Sequence, residues 1–320
     1  MLYRFVKIIA RLALPLYCRN IAINKRELLK HKGPLILACN HPNSFLDAII
    51  LCTLFDGTIY SLARGDAFKN KTAGKILRLF KMFPVYRVSE GVENLEENYT
   101  TFNLCKNLFK KKGIVLIFSE GRCVNEWHLR PLKKGTARLA ISSWQDGIDL
   151  KVLPVSINYS SFKKFGKNVK IFFGNFITDA TIDLKDTDGK ALRSFNMQLE
   201  DQLKPFVCEI EPGDKVTLHK TFYIPQSLLK KILLAIPALA GFIIHIIFYN
   251  SVKWLGNILV KEEGHFDSKI VGLLFFLYPL YIGLLIAVSF AATKNRWSFL
   301  LMLVIPFTAW SYIQLKKQLD

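Results

Sequence analysis

Three long apolar runs in the last third of the sequence limit the folds open to this chain more than any other feature. They are Ile232–Tyr249, Ile270–Ala292 and Trp297–Ile313, which contain 18, 23 and 17 residues. About 20 apolar residues are needed to cross a bilayer as a helix, so the middle run predicts a transmembrane helix in spite of Pro279. The two flanking runs are also short enough for re-entrant or in-plane segments. We therefore predict one to three membrane crossings within a membrane-embedded helical region at 226–320.

Charge is unevenly divided between this region and the rest of the chain. The whole chain has a net charge of +19, whereas residues 232–313 contain only eight charged residues and residues 1–231 carry +16. Such an excess predicts an anionic partner. Anionic lipid headgroups, an acidic carrier protein and a phosphorylated cofactor all fit. A nucleic-acid partner is not expected, because the sequence shows no nucleic-acid-binding motif.

The spacing of cysteines and histidines argues against several classes of protein. The six cysteines form no C-x-x-C pair and the six histidines form no H-E-x-x-H motif, so we predict neither a metal site nor a dithiol redox centre. The glycine-rich phosphate-binding motifs and the G-x-S-x-G motif are absent as well. ATPase, dinucleotide-dependent dehydrogenase and α/β-hydrolase interpretations thereby lose their main support, and no bound cofactor is expected.

Residues 1–22 predict an amphipathic helix in the membrane interface. Arg4, Lys7 and Arg11 recur at a spacing that places them on one helical face, and apolar residues fill the rest of the segment. We expect this cationic face to point toward lipid headgroups. The alternative is an amphipathic helix packed on a soluble core.

Residues 23–225 predict an α/β domain with a mixed sheet flanked by helices, since short apolar strands alternate with amphipathic helices. The predicted strands are Leu35–Cys39, Thr58–Ala63, Pro84–Tyr86, Ile114–Phe118, Lys151–Asn158 and Lys170–Phe173. The predicted helices are Phe45–Phe55, Asn70–Lys81, Val92–Lys111, Gly135–Gln145 and Ala191–Val207.

The strongest candidate for chemistry is the segment Asn40–Asp47, which directly follows a predicted strand. Open α/β sheets bind ligands at the carboxyl ends of their strands. A histidine such as His41 can act there as a general base near neutral pH, and a carboxylate such as Asp47 can fix its tautomer. Ser44 and Asp47 also have the spacing of a capping box, an alternative that would stabilise the helix by ~1 kcal/mol without catalysis.

Other predicted strands also end in polar residues. Glu120, Gly121 and Arg122 follow the strand Ile114–Phe118, and Arg87 follows the strand Pro84–Tyr86. Polar groups that converge from separate strand ends indicate a binding site.

Four blocks of sequence resemble, in order and spacing, the glycerolipid acyltransferases of the 1-acylglycerol-3-phosphate acyltransferase type. The blocks are NHPNSFLD at 40–47, FPVYR at 83–87, FSEGR at 118–122 and VLPVS at 152–156. The resemblance covers residues 30–220. It implies transfer of an acyl chain from a thioester, of acyl-carrier protein or of coenzyme A, to a lysophospholipid hydroxyl at the membrane face.

The sequence departs from the family pattern at several positions. Five residues separate His41 from Asp47 where the family usually has four, and we expect the extra residue in the loop before the helix. Ser119 stands where the family usually has proline. Arg122 directly follows Gly121, whereas a threonine often precedes the arginine in the family.

The resemblance also implies roles for the candidate residues. His41 and Asp47 would be catalytic, with His41 taking the proton of the acceptor hydroxyl. No protein nucleophile is needed, because a thiol of pKa about 8.5 is a good leaving group. Arg87 and Arg122 would bind the acceptor phosphate, as guanidinium groups do. The adjacent Gly121 and Glu120 would complete the substrate site, with Glu120 orienting either a glycerol hydroxyl or the arginine.

We therefore predict a membrane-bound O-acyltransferase that forms phosphatidic acid in phospholipid biosynthesis, in the bacterial inner membrane with its active site on the cytoplasmic face. One alternative keeps the chemistry and changes the acceptor to a lyso-ornithine lipid, a lyso-glycine lipid or glycerol 3-phosphate. Another is a non-catalytic membrane protein that binds lipid and has kept the blocks for folding.

Overall fold

The computed structural model of the chain describes residues 2–86, 96–182, 188–259 and 265–319. Its α-helices are α1 (Leu2–Tyr17), α2 (Phe45–Leu54), α3 (Lys71–Leu79), α4 (Glu97–Lys110), α5 (Lys134–Gln145), α6 (Asp188–Leu203), α7 (Lys215–Phe222), α8 (Leu228–Leu259), α9 (Phe266–Thr293) and α10 (Leu301–Leu315). Its strands are β1 (Cys18–Ile23), β2 (Leu35–Cys39), β3 (Ile59–Arg64), β4 (Met82–Val85), β5 (Ile114–Phe118), β6 (Lys151–Tyr159) and β7 (Lys167–Phe173).

These strands form one sheet in the order β1-β7-β6-β2-β5-β3-β4. Strands β6 and β7 pair antiparallel and every other neighbouring pair is parallel, so the sheet is mixed. Strand β2 lies between β5 and β6, and all five of its residues are buried because helices cover both faces of the sheet. The predicted mixed sheet flanked by helices is confirmed.

Strands β2 and β5 begin and end at the predicted residues, since each is an unbroken apolar run of the kind that a doubly covered parallel sheet requires. Strand β1 and helix α7 were not predicted. Residues 18–22 were expected to be helical, but the chain leaves the helix at Tyr17 and pairs with β7. Helix α7 is preceded by its N-cap Asp214, whose side chain accepts a hydrogen bond from the Thr217 backbone N–H.

Helix α1 presents its cationic side to the protein. The Lys7 ammonium donates to the carbonyl oxygens of Phe55 and Gly57, and the Arg11 guanidinium donates to the Thr53 carbonyl at 3.1 Å. These carbonyls lie at and just beyond the carboxyl end of α2, where unpaired carbonyl groups and the helix dipole favour cations. The expectation that this face points toward lipid headgroups was therefore wrong for Lys7 and Arg11, whereas Arg4 is exposed.

The opposite side of α1 is apolar and exposed. Its exposed side chains are Leu2, Phe5, Ile8 and Leu12, at 47, 62, 61 and 73%. A stripe of large apolar side chains along one helix suits insertion into a membrane interface. The amphipathic helix is thus present, with its polarity reversed relative to the expected one.

The C-terminal region contains three apolar helices. They are α8, α9, and α10 together with the short turn before it, with lengths of 32, 28 and 20 residues. Each is long and apolar enough to cross a membrane, which is compatible with a membrane protein. The two flanking helices extend beyond the 18 and 17 residues of their apolar runs, because the helical backbone continues into adjoining residues.

Helices α8 and α9 also pack against the α/β domain. Val252 of α8 and Ile270 of α9 are buried in the same apolar core as side chains of β2, β6 and β7. The amino-terminal end of α9 therefore lies close to the carboxyl edge of the sheet, where β2 ends.

The contact between α8 and α10 depends on Gly241. A Cβ atom at this position would lie 2.1 Å from the Thr308 carbonyl oxygen, so we expect Gly241→Ala to lower the free energy of unfolding by about 1–3 kcal/mol. Gly283 of α9 provides a control, because its Cβ would meet no described atom within 4 Å. Unfolding in detergent measures both variants, and equal transitions for the two would contradict this packing role.

Candidate active site

The carboxyl ends of β2 and β5 bring two of the sequence blocks together. The two strands run parallel with Cys39 opposite Phe118, so the loops that follow them leave the sheet at the same edge. The His41 backbone N–H donates to Glu120 Oε2 at 2.8 Å. The loop of β2 is thereby joined directly to the loop of β5.

His41 and Asp47 form the pair that the sequence predicted. His41 Nδ1 lies 2.8 Å from Asp47 Oδ2. The Asp47 side chain is fully buried and that of His41 is 17% exposed. An ionised carboxylate accepts from Nδ1–H, which leaves the lone pair on Nε2. The five intervening residues form the loop and the first turn of α2, so the ring folds back onto the carboxylate despite the additional residue.

Two further donors hold the Asp47 carboxylate. The Asn43 backbone N–H donates to Oδ2 at 2.8 Å, and the Tyr159 hydroxyl donates to Oδ1 at 2.7 Å. Burial and the nearby Asp47 raise the pKa of Tyr159 well above its ordinary value, so the phenol stays protonated and remains a donor. Both carboxylate oxygens are thus fixed, and with them the orientation of His41.

Phe118 fixes the plane of the His41 ring. Its ring stacks on that of His41 with centroids 3.8 Å apart and planes inclined by 11°. Since the Nδ1 contact sets one direction and the stacking sets the plane, little rotational freedom is left to the imidazole.

The capping-box alternative for Ser44 and Asp47 was wrong. Ser44 stands at the N-cap of α2 without a side-chain capping bond, and its Oγ lies 2.6 Å from His265 Nδ1 instead. Its backbone N–H donates to Cys123 Sγ at 2.9 Å. Asp47 accepts from the backbone N–H of Asn43 and not from that of Ser44, so the reciprocal bonds of a capping box do not form.

Glu120 accepts hydrogen bonds from backbone amides through its carboxylate, which is not exposed to solvent. Its side chain is buried, and its second oxygen accepts from the Arg130 backbone N–H at 2.9 Å. Burial raises the pKa of Glu120, while the hydrogen bonds from the Arg130 and His41 amides act in the opposite direction. The carboxyl group joins three loop segments at the sheet edge.

The remaining predicted residues lie beside this group. Gly121 has a φ of +66°, and a Cβ there would lie 2.9 Å from Lys133 Cγ, so the turn favours glycine. Arg122 is exposed and forms no hydrogen bond or ion pair with the residues that the structure describes. Arg87 lies outside the described residues.

Replacing Glu120 by alanine is expected to cost stability and activity together. The variant leaves the His41 and Arg130 amides without their acceptor, at about 1–3 kcal/mol each. We expect a lower unfolding temperature and a turnover reduced by about tenfold, since the loop that carries His41 loses its tether. Glu126→Ala is the matched control, because that carboxylate forms only a partly exposed pair with the Arg130 side chain. Equal effects of the two substitutions would contradict the bracing role.

Four residues of the site were not foreseen. Tyr159, Asn43, His265 and Asp267 surround the His41 and Asp47 pair, and Asp267 Oδ2 accepts from Asn43 Nδ2 at 2.7 Å. Tyr159 did carry a signal, because it alternates with Leu153, Val155 and Ile157 and so shares their buried face of β6. Asp267 lies three residues before the apolar run Ile270–Ala292 and carried no signal beyond its charge.

The described residues contain no group of three or more His, Cys, Asp or Glu side chains that could hold a metal ion. What the site offers is a histidine ring with one nitrogen fixed by a buried carboxylate, at the carboxyl edge of an open α/β sheet. Such a site can move a proton to or from a bound hydroxyl or thiol.

Comparison with known proteins finds a matching family and a similar solved structure. Residues 20–158 match the family model described as Acyltransferase, a range that contains all four sequence blocks. The match covers less than half of the chain, and it agrees with the acyltransferase resemblance that the sequence blocks indicated.

Among solved structures, the chain is similar to the 1-acyl-sn-glycerophosphate acyltransferase PlsC from Thermotoga maritima. The similarity extends over 66% of this chain and 81% of that one, with 14% identity and a TM-score of 0.46. No curated protein matches the sequence.

Proposed function

We propose that the protein transfers an acyl chain from a thioester of acyl-carrier protein or coenzyme A to the free hydroxyl of a lysophospholipid. The acceptor that we favour is 1-acylglycerol-3-phosphate, whose acylation gives phosphatidic acid. The observation that carries the proposal is the 2.8 Å contact between His41 Nδ1 and the buried Asp47 carboxylate, within an acyltransferase domain.

The proposed reaction needs one proton relay. His41 Nε2 takes the proton of the acceptor hydroxyl while the hydroxyl oxygen attacks the thioester carbonyl carbon. The carbon–sulfur bond then breaks, and the imidazolium returns the proton to the departing thiolate. Asp47 stabilises the imidazolium between these two steps, as a carboxylate on Nδ1–H does.

We assign recognition of the acceptor phosphate to Arg122 and Arg87. The exposed guanidinium of Arg122 has no carboxylate partner among the described residues, so it can meet an incoming anion without first breaking an ion pair. Bidentate binding of phosphate is the chemistry at which guanidinium groups excel.

A location in the bacterial inner membrane, with the site on the cytoplasmic face, is part of the same proposal. Lys230 Nζ donates to Gln314 Oε1 at 2.7 Å, so the start of α8 and the end of α10 meet. The lysines that flank them, Lys231, Lys316 and Lys317, then share one end of the helical region. Lysines concentrated at one end of membrane helices favour the cytoplasmic side.

An acceptor screen tests the function directly. Purified protein in lipid nanodiscs would receive a radiolabelled acyl thioester of coenzyme A or acyl-carrier protein together with one acceptor at a time. We expect labelled phosphatidic acid from 1-acylglycerol-3-phosphate. A labelled product only from glycerol 3-phosphate, a lyso-ornithine lipid or a lyso-glycine lipid would change the acceptor. Donor thiol release at background level with every acceptor would support a lipid-binding scaffold instead.

Arg122→Ala tests the recognition of phosphate. Loss of a hydrogen bond to a charged group costs about 1.5–3 kcal/mol, so we expect the KM for the acceptor to rise about 10- to 100-fold with a smaller change in kcat. Arg138→Ala, an exposed arginine of α5, serves as the control and should leave both constants unchanged. An unaltered KM in Arg122→Ala would remove the phosphate assignment and favour an amino-acid lipid acceptor.

A further inference from the structure

The amino-terminal end of α9 contacts the loop that carries His41. His265, which precedes the helix, places Nδ1 2.6 Å from Ser44 Oγ. Asp267 in the first turn accepts from Asn43 Nδ2 at 2.7 Å. Both loop residues are buried, and they lie between His41 and Asp47 in the sequence. An apolar helix that is compatible with a membrane span therefore reaches the candidate active site.

The Asp267 carboxylate contacts polar side chains from three other segments. Besides Asn43 of the loop, the Tyr17 hydroxyl at the end of α1 donates to Oδ1 at 2.6 Å. The Lys167 ammonium of β7 forms an ion pair with Oδ2, and the side chains of Asp267 and Lys167 are both fully buried. The position of this carboxylate is consequently set by α1, the sheet and α9 together, which makes it a rigid point of attachment for the loop.

Asn43 joins this attachment to the candidate catalytic pair. Its side chain donates to Asp267, while its backbone N–H donates to Asp47 Oδ2, the oxygen that also contacts His41 Nδ1. A displacement of the Asn43 side chain would therefore alter the position of a donor to the Asp47 carboxylate.

The loop has a conformation that needs external support. Ser44 has a φ of +51°, which is unfavourable for a residue with a Cβ atom and persists where the surroundings enforce it. Its contacts with Cys123 through the backbone and with His265 through the side chain are such a restraint. Since one of the two comes from the end of α9, the helix contributes to holding the loop in this shape.

We propose that Asp267 is a positioning residue of the active site, and that with His265 it orients the His41 and Asp47 pair through Asn43 and Ser44. In this arrangement α9 is part of the catalytic framework in addition to any role as an anchor. The expected effect of Asp267 on catalysis rests on the proposed function. The restraint that α9 places on the loop is independent of that function.

A double-mutant cycle tests the proposal. Asn43→Ala, Asp267→Asn and their combination would be assayed for kcat and KM in nanodiscs. Misplacement of a catalytic group by about 1 Å costs on the order of 100-fold, so we expect each single variant to lose about 10- to 100-fold in kcat with little change in KM. The double variant should be no slower than the slower single one, because both substitutions remove the same connection. Multiplying losses, or losses confined to KM, would overturn the proposal.

Tyr281→Phe is the matched control within α9. The Tyr281 hydroxyl donates to the Ile244 carbonyl of α8 at 2.6 Å, so the variant breaks a contact between two apolar helices without touching the loop. We expect its kcat to be unchanged. A loss equal to that of Asp267→Asn would show that any disturbance of the helical region lowers activity, and the specific role of Asp267 would be refuted.

Hydrogen exchange separates this inference from the proposed function. In Asn43→Ala and Asp267→Asn, amides of residues 41–44 should exchange at least about tenfold faster, whereas those of the buried strand β5 should not change. Unchanged exchange in the loop overturns the inference even if the wild-type protein is an active acyltransferase. Faster exchange in a protein that acylates no acceptor would reject the proposed function alone. If Asp267→Asn does not fold, Ser44→Ala and His265→Ala form a second cycle that is read in the same way.

Discussion

His41→Ala is expected to lower kcat for acyl transfer by about 10²–10⁴, the usual contribution of a general base. Without the imidazole, the acceptor hydroxyl must attack the thioester while it is still protonated. The buried Asp47 is held by Asn43 and Tyr159 and does not face the substrate in place of the ring. Release of the donor thiol and formation of labelled product both measure the loss.

The control for this substitution is another histidine. His219 is exposed on α7 and stacks on Tyr223 with centroids 4.3 Å apart, so His219→Ala should leave kcat unchanged. The unfolding temperature of His41→Ala should fall moderately, because the substitution removes a hydrogen bond to the buried Asp47 and the stacking on Phe118. The assay is therefore run well below that transition. Turnover at the wild-type rate in a folded His41→Ala protein would reject the general-base assignment.

Lys167→Met is expected to lower the free energy of unfolding by about 3–5 kcal/mol, since removal of one partner leaves the other charge buried and unpaired. Burial lowers the pKa of Lys167, and the neighbouring Asp267 carboxylate partly offsets this effect. Once the ammonium is gone, the Tyr17 hydroxyl and the Asn43 amide are the side-chain donors to Asp267 that remain among the described residues. Denaturant unfolding in detergent measures this change in the free energy of unfolding.

Two further variants make this measurement specific. Lys170→Met replaces a partly exposed lysine of the same strand. It should lower the free energy of unfolding by less than about 1 kcal/mol. The double variant Lys167→Met with Asp267→Leu removes both charges and should recover much of the loss, because a buried ion pair can be replaced by apolar side chains of similar volume. A double variant no more stable than Lys167→Met would contradict the assignment of the loss to an unpaired charge.

The sequence predicted the centre of the fold because the determining signals are local. Strands β2 and β5 are short apolar runs followed at once by polar loops, so both their extent and the position of His41 could be inferred. Asp47 belongs to the same local segment. Its contact with His41 depends only on the turn that precedes α2.

Other features depend on contacts between distant parts of the chain. Asn43 and Asp267 are 224 residues apart, and Tyr159 lies 112 residues from Asp47, so no periodic pattern could pair them. Which side of α1 faces the protein was ambiguous for a different reason. Lipid phosphates and carbonyl groups at the end of a helix both attract Lys7 and Arg11, and only the folded structure shows that α2 supplies the carbonyls.

The Cys123 thiol lies beside the candidate catalytic pair, where its sulfur accepts a hydrogen bond from the Ser44 backbone N–H. Its ionisation state bears on whether it could act as a nucleophile. Burial raises the pKa of Cys123 to about 12, so the thiolate is scarce at neutral pH and this neighbour of the reacting groups is a poor nucleophile. Cys123 is therefore not expected to carry a covalent acyl intermediate in the proposed reaction. In the proposed direct transfer, donor and acceptor must be bound at the same time, so the site beside His41 would have to accommodate two acyl chains together.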